Sequence, residues 1–148
     1  MKIVHVTSSL CRQGAGVKAV VEGLSAAQAA EGAEVRVLGL TSTGWRSGES
    51  ELWRGAPAEA FDVVGPQSYG YSPGFFHRLK SIEPVLVHVH GMWMYPSKAV
   101  ADWARTTGRP FVLSPHGMLA PVALSFSPTR KRIARLLFAN RVLRSASL

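Results

Sequence analysis

Short apolar runs alternate along this chain with stretches that carry apolar residues at helical spacing. Lys2–Val6 reads as a buried strand, and Thr7–Gly16 as a polar, glycine-containing loop. Val17, Val20, Val21, Leu24 and Ala27 then recur every three to four residues, which predicts a helix over Val17–Glu31, closed by Gly32. Glu34–Leu40 alternates polar and apolar and predicts a second strand. Thr41–Ala60 is polar and punctuated by Gly44, Gly48, Gly55 and Pro57, a long excursion that ends in a short third strand, Phe61–Gly65. Ser72-Pro73 has the cap-then-proline order that opens a helix, with Phe75, Phe76, Leu79 and Ile82 along it. Val85–His90 predicts the fourth strand and Phe111–Ser114 the fifth; between them Ser97 caps a helix through Thr107 that Gly108 ends. Ser127-Pro128 opens a last helix running to about Arg144.

Strands and helices in this alternation make a parallel sheet with helices on both faces, an α/β, Rossmann-like three-layer sandwich. Right-handed crossovers favour the strand order 3-2-1-4-5, which sets the first and fourth strands side by side at the switch point. The loop Gln13–Gly16, His90-Gly91 and His116-Gly117 then meet on one rim, at the carboxyl ends of the strands. Neither an internal repeat nor a low-complexity linker divides the chain, so residues 1–148 read as one domain.

Composition supports this picture and narrows the setting. The 47% hydrophobic and 18% charged content is that of a soluble globular protein. A lone cysteine, Cys11, excludes an internal disulfide framework and fits a reducing, cytoplasmic compartment. Met1–Val6 is too short for a signal-peptide core, and no run reaches the roughly 20 apolar residues of a membrane span. The charge is uneven. Residues 1–102 carry nine Lys/Arg and nine Asp/Glu, whereas residues 103–148 carry eight Lys/Arg and no acid, so the whole formal +8 lies in the last third. A basic end on a neutral body points to a local anionic partner such as a phosphate, a membrane or an acidic partner, and away from nucleic acid. In the last helix Ile133, Leu136, Leu137 and Leu143 share one face, expected to pack on the sheet. Arg130, Lys131, Arg135 and Arg141 lie largely opposite, with Phe138 and Val142 among them, expected to meet a membrane surface or another domain.

The candidate chemistry sits on the rim. Gly14-Ala15-Gly16, between a strand and a helix, lets backbone N–H groups face an anion such as a diphosphate. The loop lacks the full G-x-G-x-x-G spacing, and no acid closes the second strand, which argues against a nicotinamide dinucleotide. His88 and His90 are expected on opposite faces of the sheet, His88 beneath a helix and His90 at the strand end, with His116, following Pro115, aimed out of the sheet. No His-x-x-x-His, Cys-x-x-Cys or carboxylate cluster suggests a metal, and no Gly-x-Ser-x-Gly elbow suggests a serine nucleophile.

Taken together, Met1–Thr7 with Gly14-Ala15-Gly16, Val87-His88-Val89-His90-Gly91, and Pro115-His116-Gly117-Met118-Leu119-Ala120-Pro121 resemble the amino-terminal domain of GT-B glycosyltransferases of family 4, especially bacterial enzymes that build exopolysaccharide or O-antigen chains. The resemblance spans nearly the whole chain apart from Thr41–Ala60. It implies the acceptor-side half of an enzyme whose second Rossmann-like half binds the nucleotide sugar, so that residues 1–148 alone are expected to be inactive. It implies sugar transfer from a nucleotide-sugar donor to a glycan or lipid-linked acceptor, with retention, without a metal or other cofactor, and at most peripherally on the inner face of the membrane. By the same resemblance Gly14, Ala15 and Gly16 lie beside the donor diphosphate and His116 acts at the reaction centre. His90, Gly91 and Gly117 line the acceptor side. The charge pattern, apart from the resemblance, offers Arg130, Lys131, Arg135 and Arg141 to a membrane or other anionic surface. The alternative is a free-standing nucleotide- or sugar-phosphate-binding module, or a fragment of a sugar-nucleotide epimerase.

Overall fold

The computed structural model describes residues 1–11, 15–41 and 52–147. Five strands form one sheet: β1 Lys2–Thr7, β2 Glu34–Leu40, β3 Ala58–Phe61, β4 Leu86–His90 and β5 Phe111–Ser114. Their order is β3-β2-β1-β4-β5 and every neighbouring pair is parallel, the Rossmann-like α/β arrangement expected from the alternation of elements. The crossovers carry α1 Ala15–Ala30, α2 Pro73–Ile82 and α3 Tyr95–Thr107. After β5 come a short α4, Pro121–Ser125, then α5 Pro128–Ala134, a π-helical turn Arg135–Ala139, and α6 Asn140–Ser145. Helix ends follow the sequence cues in part. Pro73 sits in the first turn of α2, and Gly108 closes α3 at φ +69° with its N–H on the Ala104 carbonyl.

The side-chain period of two divides each strand between two faces. On one face Val4 stands beside Val87, Val6 beside Leu38 and Val89, and Val87 beside Phe111. These pack with Phe75 and Leu79 of α2 and Trp103 of α3 into the main core. On the other face His5 stands beside His88, Thr7 beside His90, and His90 beside Ser114. There Val35 and Val37 of β2 form a smaller core with Leu10 and with Val21 of α1.

Three expectations are corrected. The third strand is Ala58–Phe61 rather than Phe61–Gly65, because the pairing Val37↔Ala58 through Leu40↔Phe61 starts earlier than the apolar pattern suggests. His88 does not turn away from His90. Residues two apart on a strand share a face, and the two rings stack with centroids 4.1 Å apart. The last helical segment docks through the opposite side from that expected. Ala134, Phe138, Ala139 and Val142 are buried, whereas Ile133, Leu136, Leu137 and Leu143 are exposed, Leu136 at 84%. Ala134, Phe138 and Val142 form an i, i+4, i+8 row, and the π-helical turn sets Ala139 beside them, so that two small residues, Ala134 and Ala139, allow close approach. Phe138 reaches Tyr69, and the Ser147 N–H closes on the Phe111 carbonyl at 2.8 Å. Of the excursion Thr41–Ala60, residues 42–51 lie outside the described residues.

Candidate active site

The carboxyl ends of β1, β4 and β5 form the rim, in register through Thr7↔His90 and His90↔Ser114. The two His-Gly segments meet there. After β5 the backbone folds into a tight turn, with the Met118 N–H bonded to the Pro115 carbonyl at 2.9 Å. Both central residues have positive φ, His116 at 46° and Gly117 at 76°. A left-handed non-glycine residue costs about 1–3 kcal/mol, so neighbouring structure must hold His116 in place. Gly91 has φ +95°, and a Cβ there would lie 3.0 Å from Met118 Cε. The Gly91 N–H also bonds the Ser114 carbonyl at 2.9 Å, so each His-Gly turn braces the other.

Beneath the rim the imidazoles form a chain. The Gln28 amide oxygen of α1 lies 2.7 Å from His5 Nε2, His5 Nδ1 lies 2.9 Å from His90 Nε2, and His90 Nδ1 lies 2.8 Å from His116 Nε2. His88 stands beside this chain, its Nε2 2.7 Å from the Ser114 hydroxyl. His5 and His90 are buried, while Gln28, His88 and His116 are half-buried. Burial pushes all four histidines below their usual range and so keeps them neutral. His88 is pushed down to about 4, by burial first and then by the charges of His5 and His116. For His5 the Gln28 hydrogen bond opposes part of the effect.

A cavity of about 290 Å³ opens beside the rim, walled by Ser8, His90, Gly91, Met92, Trp93 and Met118 among others. His116 and Gly117 lie outside its wall, on the adjoining turn. The sequence-predicted site residues thus fall into three groups. His90, Gly91, His116 and Gly117 come together. His90 sits lower than expected, 2% exposed, with both ring nitrogens already engaged by His5 and His116. Gly14 lies outside the described residues; Ala15 opens α1 and Gly16 occupies its first turn, exposed, with nothing within 4 Å of a Cβ built on it. The basic residues form a separate surface. Arg130 bonds Ser127 Oγ at 2.8 Å, Lys131 donates to the Ala123 carbonyl and lies over Trp93, and Arg141 reaches Asp102 at 3.4 Å.

Sequence reasoning missed His5, Gln28 and His88 as partners. The signal for the histidines was there: histidines at alternate positions of two adjacent strands, Val4-His5-Val6 and Val87-His88-Val89-His90, place His5, His88 and His90 on one face. It also missed that His5, His88 and His90 offer nitrogens within 4.8 Å of one another, which among the described residues is the one such group with the geometry of a possible metal set. The facing nitrogens of His5 and His90 are at hydrogen-bond distance, and the outward nitrogens of His5, His88 and His90 each have a hydrogen-bonding neighbour. The arrangement is that of a hydrogen-bonded stack.

Comparison with known proteins bears on the family and the fold. The family model of the glycosyl transferase 4-like domain matches residues 15–148. No curated protein matches this sequence. Among solved structures, HepE of Anabaena in complex with UDP is similar with a TM-score of 0.64 and 22% identity, covering 100% of this chain and 36% of that one. The same protein with UDP and glucose gives 0.64 and 21%, over 100% of this chain and 37% of that one. A protein of Listeria monocytogenes assigned as a UDP-N-acetylglucosamine 2-epimerase gives 0.65 and 14%, over 100% and 38%. The chain therefore spans between a third and two-fifths of the length of these structures.

Proposed function

Because the chain belongs to the family of glycosyl transferase 4-like domains, we propose that it is the acceptor-side half of a retaining glycosyltransferase, moving a sugar from a nucleotide-sugar donor to a glycan or lipid-linked acceptor in bacterial exopolysaccharide or O-antigen synthesis. The observation that carries this reading is the meeting of both His-Gly turns at one strand-end rim, the place where open parallel sheets take ligands. HepE, which shares the fold, is solved with UDP and with glucose, which supports a nucleotide-sugar donor here.

In this reading His116 meets the reacting sugar, held there by a left-handed turn that two glycines brace. The Gly14–Gly16 loop and the amino end of α1 lie beside the donor diphosphate. Gly91 and Gly117 shape the acceptor side, and His90 acts from beneath, through His116. Transfer needs a dry cleft and stabilisation of the leaving diphosphate, which a second Rossmann-like half supplies together with the nucleotide site. No metal or other cofactor enters the reaction. This reading sets the protein in the cytoplasm, where a lone cysteine stays reduced. Among the described residues no helix is long and apolar enough to cross a membrane.

The outer side of the last helices supports peripheral attachment to an anionic membrane. Exposed Ile133, Leu136, Leu137 and Leu143 stand there, flanked by Arg130, Lys131, Arg135 and Arg141. Apolar and basic groups on one outward face are what an interfacial helix presents, each basic residue adding about 1 kcal/mol near an anionic surface. Sedimentation with anionic vesicles is expected at low salt and lost as salt rises. Changing the four basic residues to Gln removes most of it. Equal binding to neutral and anionic vesicles, or none to either, favours a face that docks on another domain.

The transferase reading is tested in a protein carrying both halves. His116→Ala is expected to lower turnover about 10²–10⁴-fold with little change in melting temperature. Near-normal turnover with early melting makes His116 structural. Turnover by residues 1–148 alone overturns the two-half reading, and binding of UDP without transfer by the longer protein favours a binding module.

A further inference from the structure

The hydrogen-bonded row from α1 to the rim has a direction. A neutral imidazole carries one N–H and one lone pair, so each ring in a chain of neutral rings passes on the polarity it receives. The Gln28 amide oxygen accepts only, which puts the proton of His5 on Nε2. His5 Nδ1 is then an acceptor, so His90 donates from Nε2. His90 Nδ1 accepts in turn, so His116 donates from Nε2 and keeps a lone pair on Nδ1. Burial of His5 and His90, at 0% and 2% exposure, leaves no water to break the sequence. The rings are also nearly parallel along the row, 23° between His5 and His90 and 13° between His90 and His116, so a turn of one ring disturbs the next.

We propose that Gln28, His5 and His90 are positioning residues that lock His116 in its Nε2–H tautomer, so that His116 meets a ligand hydroxyl at the rim as an acceptor through Nδ1. A hydroxyl of the sugar or of the acceptor is the chemical class that would donate to it. That identity rests on the transferase reading, whereas the tautomer lock rests on the geometry alone. The lock explains why a histidine bearing backbone strain stands at the end of a row of buried strand imidazoles anchored on Gln28 of α1: without them its ring is free to turn and to exchange tautomers.

The experiment reads tautomers directly and needs no turnover. In the ¹⁵N-labelled protein near neutral pH, long-range proton–nitrogen spectra distinguish a protonated ring nitrogen from a bare one for each histidine, assigned by single substitution. His5, His90 and His116 are expected as Nε2–H with bare Nδ1. Gln28→Glu, which still only accepts, keeps that pattern. Gln28→Lys, which only donates, is expected to reverse it, moving the His116 proton to Nδ1 although position 28 does not touch His116. A wild-type His116 found as the Nδ1–H form, or averaged between forms, overturns the proposal. So does a His116 signal unmoved in a folded Gln28→Lys variant whose His5 has reversed. If Gln28→Lys fails to fold, His5→Phe provides the second test: it cuts the chain one ring from His90 and is expected to release His116 into a mixture of tautomers, while a His116 still wholly Nε2–H overturns the lock. Loss of transfer with the lock intact would count against the transferase reading and leave the lock standing.

Discussion

On one face of the sheet Val4, Val6, Val87 and Val89 meet Phe75, Leu79 and Trp103; on the other, His5, Thr7, His88, His90 and Ser114 stand in the same strands and register. The valine face stabilises without direction. Its contribution scales with apolar area, at roughly 25 cal/mol per Å² removed from water, and tolerates exchange of one aliphatic shape for another. The histidine face works the other way. Each buried imidazole is costly unless its nitrogens find partners, and the partners found here are one another, Gln28 and Ser114. Directional bonds fix ring orientation, and they end at the turn that carries His116. The same alternating strands thus divide their labour: one face supplies free energy of folding, and the other uses part of it to orient a side chain at the rim.

The largest expected effect probes how far the apolar face extends. Phe138 and Val142 carry it past the sheet edge onto the last helices, while Leu136 and Leu137 point outward. Phe138→Ala is expected to cost about 3–5 kcal/mol by urea unfolding, the range for a buried phenyl. Leu136→Ala and Leu137→Ala are expected within about 0.5 kcal/mol of the parent, as exposed positions. The reverse ranking would mean that the helix docks through its leucines and that the apolar face stops at the sheet.

That inversion shows what could be read from the sequence. The strand order, β2 at Glu34–Leu40 and the two His-Gly turns were legible because buried runs and glycines at positive φ leave a local mark. The docking face of the last helix was not, since the side with more leucines advertises itself while Ala134 and Ala139, whose small size permits the contact, do not. β3 was displaced because Ala58-Glu59-Ala60-Phe61 is held by pairing with β2 rather than by its own pattern. The short α4 was missed for a similar reason, with Pro121 at its start and only five residues to show a period. The histidine row needs two strands and a helix at once. No window of sequence contains Gln28, His5, His90 and His116 together.

The second effect is a pH dependence that only the histidine face produces. His88 titrates at about 4 in the fold against 6.5 unfolded, and His5, His90 and His116 are shifted in the same direction. A histidine with lowered pKa contributes its full stability above pH 6.5. As pH falls the unfolded chain takes up the proton first, so stability declines until the folded value is passed. A histidine whose folded value lies well below the unfolded one, as for His88, sets a slope of at most about 1.4 kcal/mol per pH unit between the two values. Glu59 acts in a lower window. Its hydrogen bond from Arg78 holds the carboxyl below its usual 4.5, so its contribution is intact above that pH and lost beneath it. Unfolding free energies at pH 7.5 and pH 5 therefore read the histidines before the carboxylate. Equal values would show that these rings accept protons as readily folded as unfolded, and the distinction between the two faces would lose its electrostatic basis.

The smallest effect separates two glycines that the rim reading treats alike. Gly117 has φ +76° and nothing within 4 Å of a Cβ built on it, so Gly117→Ala carries backbone strain and no clash. A left-handed alanine costs about 1–2 kcal/mol, which is the expected loss of stability. Gly16 lies in the first turn of α1 with ordinary φ and open space around it. Alanine there is a better helix former by up to about 1 kcal/mol and also narrows the unfolded ensemble, so Gly16→Ala is expected to be neutral or slightly stabilising. If Gly16 serves the donor diphosphate, the same substitution weakens UDP binding in a protein carrying both halves, because the added methyl occupies the space through which backbone N–H groups approach the anion. Melting temperature and UDP affinity then move in opposite directions. A Gly16→Ala protein that is no less stable and binds UDP as before would make this glycine an ordinary turn residue. The work of the rim would then rest on the turn at His116-Gly117 and the histidines beneath it.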